Sequence, residues 1–178
     1  MERKNYSLND GREVMIRPAS LEDKNQLKQL YKVIAERSEQ EVPSNQQFNQ
    51  RFQFPDYFIR LVTEHDGKII GYGEIKEDPI KQNGELQISV HPDFQRLGLG
   101  TAMMIILLKE ATEKKLQVIH LKVESENSGA IALFRKFGFQ QDYIKQESDD
   151  RGNYRDMIFM SHKLRSSEQK SFQKSLLR

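Results

Sequence analysis

Hydrophobic and polar residues alternate strictly over residues 85–90, with Leu86, Ile88 and Val90 on one side and Glu85, Gln87 and Ser89 on the other. A period of two predicts a strand with one face buried. After a turn marked by Pro92 and a loop holding Gly98 and Gly100, the pattern changes. Residues 102–115 carry Met103, Met104, Ile106, Leu107 and Ala111, the stripe of a strongly apolar helix that starts near Leu99.

Upstream, Val14 and Ile16 predict a strand over 13–17, stopped by Pro18. Ser20 opens a helix with Leu27, Leu30, Tyr31 and Ile34 at helical spacing, ending before Pro43. Residues 44–54 form a second short helix or an ordered loop. Strands at 57–64 and 68–76 make a hairpin around His65-Asp66-Gly67, and residues 77–84, with Pro79 and Asn83-Gly84, turn the chain again into the central strand. Gly71 and Gly73 predict close approach of backbone or ligand. Downstream come a buried strand over 116–123, a helix over 127–136 ended by Gly138, and an antiparallel pair, 139–146 with 154–162. Residues 1–12 are a polar segment, loose or paired early, and 165–178 a polar tail. The whole reads as one mixed α/β unit over 13–164.

Composition narrows the function classes. The 178 residues fit a single domain with a real core, and 28 basic against 26 acidic residues do not describe a nucleic-acid surface. The basic residues are scattered without interleaved aromatics, so nucleic-acid association ranks last. Absence of cysteine excludes disulfides, thiolate zinc sites and a cysteine nucleophile. The four histidines share no metal-ligand spacing, and no metal is expected. The first residues lack an apolar stretch and no run approaches the roughly 20 apolar residues that span a bilayer, so the expectation is a cytoplasmic protein without membrane contact.

The glycine loop carries the chemistry. Free N–H groups running into a helix start make an anion site, and the expected ligand is a phosphate or pyrophosphate. No Gly-x-x-x-x-Gly-Lys-Ser/Thr run is present, and Met103 stands where a dinucleotide fingerprint needs its third glycine. What remains, Gln95-x-x-Gly98-x-Gly100 between an alternating strand and an apolar helix, resembles the acetyl-coenzyme A pyrophosphate loop of the GNAT family of N-acetyltransferases. A second stretch, Asn127-x-x-Ala130-x-x-Leu133-Phe134-x-Lys136-x-Gly138-Phe139, is similar to that family's helix beside the pantetheine arm.

The resemblance implies the GNAT fold: a central, mostly antiparallel mixed sheet of about six to seven strands flanked by about four helices. It implies acetyl transfer from acetyl-CoA to a primary amine by direct attack in a ternary complex, the acceptor being a small molecule or a peptide. For the coenzyme it implies Ile88, Ser89 and Val90 on a splayed strand, the loop Gln95, Arg96, Leu97, Gly98, Leu99, Gly100 and Thr101, and Asn127, Phe134 and Lys136. Asn127 is equally explained as a helix cap. The Val90 N–H is the candidate for polarising the thioester oxygen, and Glu85, with Glu74 as rival, for the general base. Family members often carry tyrosine where this chain has Phe134, which has no proton to give. Tyr143 or Tyr154, or water, then serves as acid, or the domain binds acyl-CoA without catalysis. Dimerisation is common among related proteins and is not visible in the sequence.

Overall fold

The computed structural model describes residues 1–37, 44–53, 55–78, 80–148 and 152–164. Eight strands form one sheet: β1 (Lys4–Ser7), β2 (Glu13–Pro18), β3 (Phe58–His65), β4 (Lys68–Asp78), β5 (Asn83–Val90), β6 (Val118–Glu124), β7 (Gln140–Ser148) and β8 (Tyr154–Lys163). Their spatial order is β1-β2-β3-β4-β5-β6-β8-β7, antiparallel throughout except for β5 beside β6. The sheet exceeds the expected six to seven strands because the polar N-terminal segment pairs as β1 with β2, Lys4 opposite Ile16. The helices are α1 (Lys24–Arg37), α2 (Asn45–Gln53), α3 (Leu99–Glu113) and α4 (Ser128–Lys136).

Period explains placement. On α1, Leu27, Leu30, Tyr31 and Ile34 recur on one stripe and pack with Phe48 of α2 against Val62, Ile69 and Tyr72 of the sheet. The other face is covered by α3 and α4. Residues Ala102 to Leu108 of α3 are all buried, so the helix is apolar around its whole girth. Gly71 and Gly73 admit this helix rather than a ligand: a Cβ on Gly73 would stand 2.8 Å from Leu107 Cδ1, and one on Gly71 3.2 Å from Met103 Sδ. Ser20, the predicted helix start, caps a short 3-10 turn, Leu21–Asp23, that runs into α1 at Lys24. Asp23 accepts the Ser20 amide at 2.7 Å in a capping box, and Arg17 of β2 grips the same carboxylate.

The 165–178 tail and the 149–151 part of the last turn lie outside the described residues. Among the described residues no helix is long and apolar enough to cross a membrane.

Candidate active site

The functional geometry comes from a parting of strands. β5 and β6 pair only at Asn83 with Val118, Gly84 with Ile119 and Glu85 with His120, and beyond Glu85 they separate. On its other side β5 stays paired with β4 to the end, and the His91 N–H donates to the Ile70 carbonyl at 2.8 Å. Antiparallel ladders alternate. The N–H and C=O of Ile88 and Val90 therefore turn away from β4, toward the space that β6 has vacated. There the Val90 carbonyl accepts from Gln95 Nε2 at 3.2 Å.

Two cavities meet in this gap. One, of about 420 Å³, is lined by Val90, Gln95, Arg96, Gly100, the start of α4 and Arg37. The second, of about 380 Å³, is lined by Tyr31, Glu85, Gln87, Lys122, Glu124, Glu147 and Arg155. Ile88, Ser89, Asn127, Ala130 and Phe134 line both. Side chain and backbone of β5 divide the work: Leu86 packs in the core, while Ile88 and Val90, with β4 on one side and no strand on the other, stay half-buried.

The loop between β5 and α3 holds two left-handed residues, Arg96 (φ 62°) and Gly98 (φ 89°), the second being the N-cap of α3. Only glycine takes such a φ without a Cβ penalty, which is why Gly98 is needed. Gly100 serves packing instead, since a Cβ there would come within 3.0 Å of Leu133 Cδ2 on α4. The Arg96 guanidinium lies beside Gly129 at the N-terminal end of α4, where a Cβ would meet its Nη2 at 3.4 Å. Asn127 caps α4, its side-chain oxygen accepting the Ala130 N–H at 3.1 Å.

Of the residues singled out by sequence, Glu85, Ile88, Ser89, Val90, Gln95, Arg96, Gly100, Asn127 and Phe134 line one cavity or both. Leu97, Gly98, Leu99 and Thr101 line neither; Leu99 is buried in the core, and Leu97 and Gly98 shape the loop backbone. Lys136 sits at the far end of α4 from Asn127, exposed and away from both cavities. Tyr143 also lies outside them: on edge strand β7 it is 53% exposed and stacks on Phe159 with 4.6 Å between ring centres. Tyr154 is 71% exposed. Glu74 is buried on β4, accepts the Tyr72 hydroxyl at 2.5 Å and lines neither cavity.

Sequence reading missed Arg37 and the ionic wall of the second cavity. Lys122 Nζ stands 2.7 Å from Glu147, whose carboxyl its hydrogen bond holds below the usual range, and Arg155 Nη1 stands 2.8 Å from Glu124. These residues come from β6, β7 and β8, and no local spacing links them.

A mostly antiparallel sheet that opens at one parallel pair, with a glycine loop leading from the opened strand into a buried helix, is the architecture of an acyl-coenzyme A-dependent transferase. The chain belongs to the acetyltransferase (GNAT) family, whose sequence profile matches residues 24–139, more than half of its length. It is similar to the ribosomal protein bS18-alanine N-acetyltransferase of Escherichia coli strain K12, 28% identical over 89 residues that cover 50% of this chain and 60% of that one. The chain thus spans less than two thirds of that relative. An N-alpha-acetyltransferase of Sulfurisphaera tokodaii is 28% identical over 153 residues, covering 74% of this chain and 83% of its own. A Salmonella typhimurium protein solved with its cofactor acetyl-CoA shares the fold, with a TM-score of 0.72 at 23% identity over 85% of this chain and 94% of that one.

Proposed function

We propose that the protein is an N-acetyltransferase that moves the acetyl group of acetyl-CoA to a primary amine by direct attack. The observation that carries this reading is the opened strand: Ile88 and the Val90 N–H present main-chain groups, paired by no strand, to a gap where two cavities meet. The fit to the coenzyme is good. The 420 Å³ cavity has a helix-start loop with Arg96 for a phosphate group, and Ile88 to Val90 provide a strand edge for an extended amide-bearing arm.

Within this reading the Val90 N–H polarises the thioester carbonyl. Glu85 takes the proton of the attacking amine, directly or through water, from the wall of the 380 Å³ cavity where the acceptor enters. Phe134 packs at the junction and supplies no proton, so the departing thiolate is protonated by water. Family membership and the names of the relatives support acetyl transfer to an amine as the activity.

Thermal unfolding with acetyl-CoA, coenzyme A and ATP tests the reading. The two coenzymes raise Tm and ATP does not, and Gly98→Glu abolishes the shift. Release of free thiol in the presence of an amine then establishes turnover. No shift with either coenzyme overturns the reading; a shift without turnover on any amine identifies a binding domain instead.

A further inference from the structure

We propose that the acceptor presents a primary ammonium with no carboxylate beside it, so that the neighbouring group is an amide or a further amine, and that free amino acids are discriminated against. This rests on the acetyl-transfer reading above and names the acceptor class for the same site.

The argument is the state of the charges in the 380 Å³ cavity. Among the described residues five charged side chains line it: Glu85, Glu124, Glu147, Lys122 and Arg155. Both cations are already neutralised from within the wall, Lys122 by Glu147 at 2.7 Å and Arg155 by Glu124 at 2.8 Å. Glu85 has no ion pair among the described residues, and Lys76, its register neighbour on β4, does not line the cavity. Among the described lining residues one negative charge is left over.

An incoming ammonium meets that charge. An incoming carboxylate next to the amine finds no unpaired cation among the described lining residues, and to be neutralised by them it has to break one of the two ion pairs while approaching Glu85. In the adjoining cavity Asp93 holds Arg37 at 2.5 Å, while Arg96, which has no ion pair among the described residues, stays available to a phosphate-bearing donor, with Glu126 also on the wall. The charge of the two walls therefore sorts the two substrates to opposite sides of the gap.

Two coenzyme A conjugates test the proposal. In each, the sulfur is alkylated by an acetyl-glycine arm, ended in one by a carboxylate and in the other by a carboxamide, and affinity is measured by calorimetry at pH 7. The expected result is carboxamide binding tighter by about tenfold, the scale of one uncompensated like-charge contact in a half-open site. Glu147→Gln, which takes the 2.7 Å partner carboxylate from Lys122, is expected to tighten the carboxylate conjugate selectively and narrow the ratio. Equal affinities for the two conjugates, or a preference for the carboxylate, overturn this inference and leave the transferase reading intact. So does binding of acetyl-CoA with binding of neither conjugate, because the cavity then refuses this acceptor frame. Failure of acetyl-CoA itself to bind overturns both.

Discussion

The guanidinium of Arg12 lies 4.1 Å above the ring centre of Phe94 and donates from Nη2 to the Asp93 carbonyl at 3.0 Å. Arg12 stands at the end of the turn between β1 and β2, and Phe94 in the turn that leaves β5. In the same turn the Asn9 N–H donates to the Leu97 carbonyl at 3.1 Å, and Asp10 holds Arg12 Nε at 2.6 Å. The β1–β2 turn thus braces the loop that carries Arg96 and Gly98, whose left-handed residues would otherwise be free to relax.

Arg12→Ala is expected to raise KM for acetyl-CoA about fivefold, the loss of one charge-assisted hydrogen bond and its ring contact, with kcat changed less than twofold. Steady-state kinetics at saturating amine separates the two constants. An unchanged KM means the loop holds its shape without the brace.

A second prediction concerns the anchor between β2, β3 and α1. Arg17 donates to both oxygens of Asp23, at 2.6 and 2.8 Å, and also to Glu64 at 2.5 Å. Burial pushes the Asp23 carboxyl up, but the Arg17 guanidinium and the Ser20 amide outweigh it and leave the group below its ordinary value. A depressed carboxyl contributes stability that is complete above its unfolded value, near pH 4, and is lost as pH falls through the folded value. Asp23→Asn is expected to cost roughly 3 kcal/mol at pH 7, because it leaves Arg17 partly buried with half its partners gone. Its denaturation midpoint should then fall less steeply than that of the parent below pH 4. Parallel curves would show that Asp23 is not linked to acid unfolding.

Glu85 and Glu74 lie on the same face of neighbouring strands, yet only Glu85 lines a cavity. Glu85→Gln is expected to lower kcat about 100-fold at neutral pH, within the range of a lost general base, while KM for acetyl-CoA stays within about twofold. Glu74→Gln exchanges the acceptor of the buried Tyr72 hydroxyl; it should cost roughly 1 kcal/mol of stability and little turnover. The opposite ranking of the two variants would transfer the base role to Glu74.

Phe134 faces the junction of both cavities and is only 7% exposed, packed on Phe139 at 5.9 Å between ring centres. Placing a hydroxyl there with Phe134→Tyr is expected to raise kcat about tenfold if protonation of the thiolate limits the rate, since a positioned acid contributes 10²- to 10⁴-fold in favourable cases. Pre-steady-state thiol release measures it. A lower kcat with a normal coenzyme Tm shift would mean that the apolar junction itself is what the reaction needs.

Much of this protein was legible in one dimension because its signals are local. The alternation at Leu86, Ile88 and Val90, the Asp66-Gly67 turn, the apolar girth of α3 and the pairing of Gly98 with a helix start each depend on residues within a few positions of one another. Those periods set strand, turn, loop and cap before any long-range contact forms. They were enough to place the mixed sheet and the glycine loop; nine of the residues that line the two cavities are named instead by the resemblance to the family's motifs. Short polar strand β1 escaped a firm reading, since pairing with β2 rather than any apolar face defines it.

The strand order and the length of each pairing were decided only in three dimensions. β5 and β6 part beyond Glu85, and no residue of β5 announces it. The order β6-β8-β7 brings Lys122 to Glu147 and Arg155 to Glu124, pairs 25 and 31 residues apart in the chain. It also leaves Tyr143 on the outer strand. A side chain's local period tells which face it takes; its distance to other elements is set by how whole elements pack, and that is why the glycine loop could be read from the sequence and the ionic wall of the 380 Å³ cavity could not.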